Sequence, residues 1–160
     1  MRPFLETVTD LRLGAVSLAD RHYGVIVTSE GRLERILLRP WPKLVSIPEI
    51  LVLGRLLHRH RRGDRCLLYY HQPWRFPRFL VVKYVFSMCG TRYATFRRAL
   101  EVLDEIARLK RADALLCDLA NPRISRQMMR RWGWEPHCPS RWHRHYIRRF
   151  YGQYPSSRLS

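Results

Sequence analysis

Between Phe79 and Ala120 the chain reads as an apolar run, an amphipathic helix and a second apolar run, and this order restricts the fold more than any other stretch. The first run, FLVVKYVFSM (79–88), is long and rich in Val, Tyr and Phe, residues suited to a packed, pleated surface. From Thr91 or Thr95 to Lys110 the apolar residues Phe96, Ala99, Leu100, Leu103, Ile106 and Ala107 recur at helical spacing. Arg97, Arg98, Asp104, Glu105 and Arg108 fall on the other face, so an amphipathic helix is expected there. DALLCDLA (113–120) has the short, continuous apolar character of a strand buried on both faces.

The remaining segments extend this α/β pattern. Residues 1–20 have weak periodicity and read as an irregular or short-strand lead-in. HYGVIVTSEGRLERILLR places two apolar-rich runs around Ser29, Glu30, Gly31 and Arg32, a hairpin whose glycine supplies the positive φ of a tight turn. Prolines at 40, 42 and 48 mark a connector. Ser46, Pro48 and Glu49 form a capping box for a helix running to about His60 and stopping at Gly63. RCLLYYHQ (65–72) reads as a strand. Asn121 as cap, Pro122 at the first turn and Gly133 at the end delimit another helix, and RHYIRRFYG (144–152) reads as a final strand. The expected order is hairpin, α, β, β, α, β, α, β in one domain, because 160 residues suit a single core. Within it, residues 1–64 form the N-terminal hairpin and helix, 65–151 the core, and 152–160 a flexible tail.

Composition separates possible partners. With 46% hydrophobic and 27% charged residues the chain has a globular balance. Its 30 Lys plus Arg against 13 Asp plus Glu leave a net charge of +17, mostly arginine, which grips phosphate in a bidentate fork. A polyanionic partner is one reading; an arginine-solvated surface is the other. Cys66, Cys89, Cys117 and Cys138 form no Cys-x-x-Cys pair and read as reduced core thiols. His137, Cys138, His143 and His145 lack the paired short spacing of a structural zinc site, so no metal is expected. The N-terminal segment carries acidic residues and no continuous apolar stretch, and no apolar run reaches the length of a bilayer span. A soluble, cytoplasmic protein without membrane contact is therefore expected; the sequence is silent on oligomeric state.

The order of a long strand, ATFRRALEVLDEIARLK, DALLCDLA and NPRISRQMMRRWGWE resembles the core of the GCN5-related N-acetyltransferase superfamily over roughly residues 65–151. Asn121 after the strand and the WGWE turn (132–135) carry the resemblance best. It implies a GNAT-like mixed sheet flanked by helices. It also implies transfer of an acyl group from acetyl-coenzyme A, or another acyl-coenzyme A, to an amine on a small molecule or a protein. The cofactor would lie against Val85, Phe86 and Ser87 and the turn through Gly90, Thr91, Arg92, Ala94, Thr95 and Arg97, with Asn121 on the opposing lip. In the family this turn reads Arg/Gln-x-x-Gly-x-Gly/Ala. Here Arg92 is kept while Thr95 and Arg97 replace both glycines, so a hydroxyl and a guanidinium stand where backbone would approach phosphate. The family's tyrosine proton donor corresponds to Met129, and a thioether cannot donate. Tyr93 or Tyr84 is the alternative donor, and Asp118 or His71 the candidate base.

A second reading takes the basic, aromatic C-terminal region as a nucleic-acid surface. Arg123, Arg126, Arg130, Arg131, Arg141, Arg144, Arg148 and Arg149 interleave with Trp132, Trp134, Trp142, Tyr146, Phe150 and Tyr151, as in grooves that hold single strands of RNA or DNA. No recognisable RNA-binding module accompanies them. The sequence also lacks the nucleophile-elbow, zinc-protease and phosphate-loop motifs of hydrolases and NTPases.

Overall fold

The computed structural model describes residues 6–39, 63–88, 90–119, 124–138 and 144–155. The expected connector and helix at 40–60, and Asn121 and Pro122, lie outside them. The described residues form an eight-stranded mixed sheet in the order β1-β3-β2-β4-β5-β6-β8-β7, so the N-terminal hairpin belongs to the same sheet as the later strands. The strands are β1 (Glu6–Val8), β2 (Tyr23–Ser29), β3 (Arg32–Arg39), β4 (Arg65–His71), β5 (Phe79–Ser87), β6 (Ala114–Asp118), β7 (Glu135–Pro136) and β8 (His145–Arg149). The helices are α1 (Ala15–Asp20), α2 (Tyr93–Leu109) and α3 (Arg126–Arg131). β5 and β6 run parallel, because α2 carries the chain back between them; every other neighbouring pair is antiparallel.

The main core lies between the sheet and α2. Ile26, Ile36, Leu68 and Leu80 on the strands meet Val102, Leu103 and Ile106 on the helix, all fully buried. Each such side chain contributes about 1.5–3 kcal/mol by leaving water. The β2–β3 turn is as expected, with Glu30 at φ 51° and Gly31 at φ 73°.

Several expectations are corrected. The lead-in contains α1, which the weak periodicity of a six-residue helix does not reveal. Ser125, not Asn121, caps the helix after β6, accepting the Met128 N–H at 3.2 Å, because the chain turns into helix four residues later than its first capping residue suggests. Asp104 is buried rather than on the solvated face of α2, since Arg148 of β8 meets it with two hydrogen bonds of 2.8 and 2.9 Å. β6 is covered less evenly than a strand buried on both faces: Ala114 and Leu115 are buried, Leu116 and Cys117 half-buried, and Asp118 exposed. Cys66 is buried as expected, but Cys138 is exposed. Tyr154, placed in the flexible tail, packs on Phe150 and donates to the Ala112 carbonyl at 2.7 Å. Among the described residues no helix is long and apolar enough to cross a membrane.

Candidate functional site

β5 and β6 are paired only from Phe79–Ala114 to Val82–Cys117. Beyond that point β6 ends at Asp118, while β5 continues to Ser87 along β4. The register of β4 against β5 shifts at the same place: Tyr70 faces Val82 and Tyr69 faces Tyr84, leaving Lys83 as the extra residue of a bulge. A bulge bends its strand and increases local twist, which carries the end of β5 away from β6. The Met88 N–H donates to the Arg65 carbonyl at 3.2 Å, so Tyr84 and Phe86 are the residues bonded to β4. The N–H and C=O groups of Val85 and Ser87 therefore face the side that β6 has left, where no described strand pairs with them.

A cleft of about 430 Å³ fills the divergence. Its walls are Val82–Ser87 of β5, Phe96 and Leu100 of α2, Cys117–Leu119 at the end of β6, and Ile124, Met128, Met129, Trp132 and Trp134 around α3. The apolar face of α2 is thus divided: Ala99, Leu103 and Ile106 enter the core, whereas the half-buried Phe96 and Leu100 line the cleft. Periodicity groups these residues together, and only the position of the sheet distinguishes them.

The expected cofactor residues fall into three groups. Val85, Phe86, Ser87, Thr91 and Arg92 line the cleft. Gly90, Ala94, Thr95 and Arg97 do not line it, and Asn121 lies outside the described residues. Thr95 is fully buried; its Oγ1 accepts from the Gly31 N–H at 2.9 Å, and its carbonyl accepts from Thr28 Oγ1 at 3.0 Å. Its hydroxyl ties α2 to the hairpin turn and is turned away from any ligand. Gly90 adopts φ 120°, a conformation L side chains rarely take. Arg97 pairs with Glu101 at 3.2 Å and borders a separate depression.

The start of α2 is occupied by a carboxylate. Asp64 Oδ1 accepts the Arg92 N–H at 2.9 Å, and Oδ2 lies 3.3 Å from Arg92 Nε. Hydrogen bonds from the Thr95 side chain and the Arg92 backbone, with the Arg92 charge, hold Asp64 below its ordinary carboxylate range against the opposing effect of burial. The Thr91 N–H is also bound, to the Met88 carbonyl at 3.0 Å. These two amides precede the helix, and the Thr95 N–H of its first turn bonds the Arg92 carbonyl at 3.1 Å. Asp64 and Arg92 thus place an ion pair just before that turn.

Of the expected catalytic residues, Asp118 and Tyr93 line the cleft, at opposite ends. Asp118 stands at its inner end, where the strands separate, with His145 Nδ1 at 3.9 Å from Oδ1. Tyr93 stands at the outer end on the first turn of α2. Its hydroxyl accepts from Trp132 Nε1 at 2.8 Å and retains its own proton for donation; the two rings stack at 6.1 Å and 24°. Tyr84, the other proposed donor, also borders the cleft. His71 is not in the cleft. It pairs with Val81 toward the opposite end of β5 and stacks on Tyr23 at 5.9 Å; burial, then the Lys83 charge, lower its pKa. Met129, at the position of the family's tyrosine, is a buried cleft wall.

Sequence reasoning missed Lys83, Cys117, Leu119 and Ile124. Lys83 had one legible mark, a cation interrupting an otherwise apolar run. Among the described residues of the aromatic and basic C-terminal set, Trp134, Tyr146 and Phe150 are buried, Tyr151 is exposed, and Arg148 and Arg149 are paired with Asp104 and Glu135.

No family model and no curated protein matches the chain. A solved structure of nourseothricin acetyltransferase is similar at 12% identity with a TM-score of 0.43, over 92% of this chain and 99% of that one.

Proposed function

We propose that the protein is an acyl-coenzyme A-dependent N-acyltransferase of the kind its sequence resembles, acting on an amine. The observation that supports this most directly is the open edge of β5. Val85 and Ser87 present unpaired backbone donors and acceptors to an apolar cleft between diverging parallel strands. An extended amide-bearing arm fits such a groove, since it can supply the missing strand while its methylenes meet Phe96, Leu100 and Met129. The amide chemistry of a pantetheine arm suits these residues. At the α2 N-terminus the arginine that the family resemblance assigns to phosphate, Arg92, is paired with Asp64.

When bound, an acyl-coenzyme A supplies an activated thioester. The chain positions that thioester and manages protons. The free N–H groups of the β5 edge donate to the carbonyl oxygen, where negative charge develops as the amine attacks. Asp118, at the inner end, would accept the proton of the incoming ammonium. No nucleophilic side chain is required. Met129 cannot protonate the departing sulfur, which leaves Tyr84 and Tyr93, both bordering the cleft, as the candidate donors.

Calorimetric titration with acetyl-coenzyme A tests the reading. Saturable binding is expected, and absence of heat at millimolar cofactor would exclude it. In a cofactor-binding protein, Asp118→Asn is expected to lower kcat by about 10²-fold or more while changing cofactor Kd by less than threefold.

A further inference from the structure

Beyond the outer end of the cleft lies a second depression of about 420 Å³. The two cavities share Tyr93, Leu100 and Trp132, so the stacked Tyr93–Trp132 pair is the ridge between them. Their chemistry differs: the cleft is walled mainly by apolar side chains, whereas the depression is bordered by Arg97, Arg131 and Arg148 together with Glu101, Asp104 and Glu105. Each of these carboxylates already has a cation. Asp104 is held by Arg148, Glu105 by Arg108, and Glu101 by Arg97 and Arg98. Arg98 and Arg108 make their pairs from outside the depression, whose own border carries three arginines and three carboxylates. Arg131, exposed on the last turn of α3, has no ion pair among the described residues. Among the described residues Arg97 is committed only to an exposed i,i+4 pair, an interaction weak enough to exchange for phosphate.

We propose that this depression, rather than the start of α2, holds the phosphorylated end of the cofactor, with Arg97 and Arg131 as its cationic grip. The inference rests on the acyltransferase reading above. An elongated ligand lying along β5 emerges at Thr91–Tyr93, where Asp64 already engages both the backbone N–H and the guanidinium of Arg92. Crossing the Tyr93–Trp132 ridge brings those phosphates to uncompensated guanidinium charge, and the exposed ring of Tyr93 offers a surface for a base. Replacement of both family glycines is then accommodated: Thr95 locks α2 to the hairpin, and Arg97 supplies by side chain a grip that backbone does not provide.

The test is calorimetry on the full chain with acetyl-coenzyme A, its analogue lacking the 3′-phosphate, and S-acetylpantetheine, which carries no phosphate. Arg97→Ala and Arg131→Ala are each expected to weaken acetyl-coenzyme A by about tenfold or more, as loss of a charge-assisted hydrogen bond does. Both are expected to leave S-acetylpantetheine unchanged, and each is expected to cost acetyl-coenzyme A more affinity than Arg92→Ala does. Thermal melts of the variants confirm folding, and Arg131→Lys is expected to restore part of the lost affinity. A larger loss from Arg92→Ala than from the other two would overturn the inference and return the phosphates to α2. Equal losses for S-acetylpantetheine would also overturn it, by showing an effect unrelated to phosphate. Failure of acetyl-coenzyme A to bind the unaltered protein removes the acyltransferase reading itself, a result distinct from either of these.

Discussion

Asp104 illustrates how one residue can belong to different faces in sequence and in space. Helical spacing places it among the solvated charges of α2, yet β8 brings Arg148 against it and both leave most of their water. Burial raises the Asp104 pKa to about 6, an effect that the Arg148 charge and hydrogen bond oppose without cancelling. The folded pKa lies above the ordinary carboxylate value of 3.8, so the folded state takes up the proton first as pH falls. The stability associated with this group is therefore fully present below about pH 4 and is lost as pH rises through 6. Asp104→Asn removes that dependence. Between pH 7 and pH 4.5 the urea midpoint of the unaltered protein is expected to rise relative to the variant; a constant difference across the interval would count against the assignment.

At the scale of elements, the cleft depends on the short helix α3, which six residues could not sustain without tertiary support. Ser125 satisfies one of its first-turn amides, and Met128, Met129 and Trp132 form a wall from that helix and its end. Ser125→Ala is expected to destabilise the protein by about 1 kcal/mol, measured by denaturant unfolding. It should also weaken S-acetylpantetheine, because the wall shifts with the helix. The expected extents of β2–β6, α2 and β8 were legible to within a few residues, since long apolar runs and helical periodicity are local signals. The bulge at Lys83 was not. It arises where β4 and β6 impose different demands on β5, and no window along β5 contains both neighbours.

For the whole molecule, the +17 net charge remains the least specific feature. Many arginines are engaged within the fold: Arg65 with Glu34, Arg78 with Asp113, Arg92 with Asp64 and Arg149 with Glu135. Of the interleaved aromatics, Trp134, Tyr146 and Phe150 are buried, whereas Tyr151 is exposed. Association with a mixed-sequence oligonucleotide is accordingly expected at 50 mM salt and to fall by about 10³-fold or more by 200 mM, the behaviour of phosphate contacts alone. Tight binding that survives the higher salt would favour the nucleic-acid reading.

The sequence by itself determined the α/β class, the hairpin, the strand–helix–strand order and the thioether at position 129, because propensity, turn chemistry and periodicity act over a few neighbouring residues. Tertiary structure alone decided which of the residues near Arg92 can meet a ligand. Asp64 reaches the α2 N-terminus from 28 positions away, and Thr95 turns inward to Gly31. It also decided that Phe96 and Leu100 face a cleft while Leu103 and Ile106 face the core. That distinction depends on where β5 and β6 part, a long-range property of the sheet that no local pattern records.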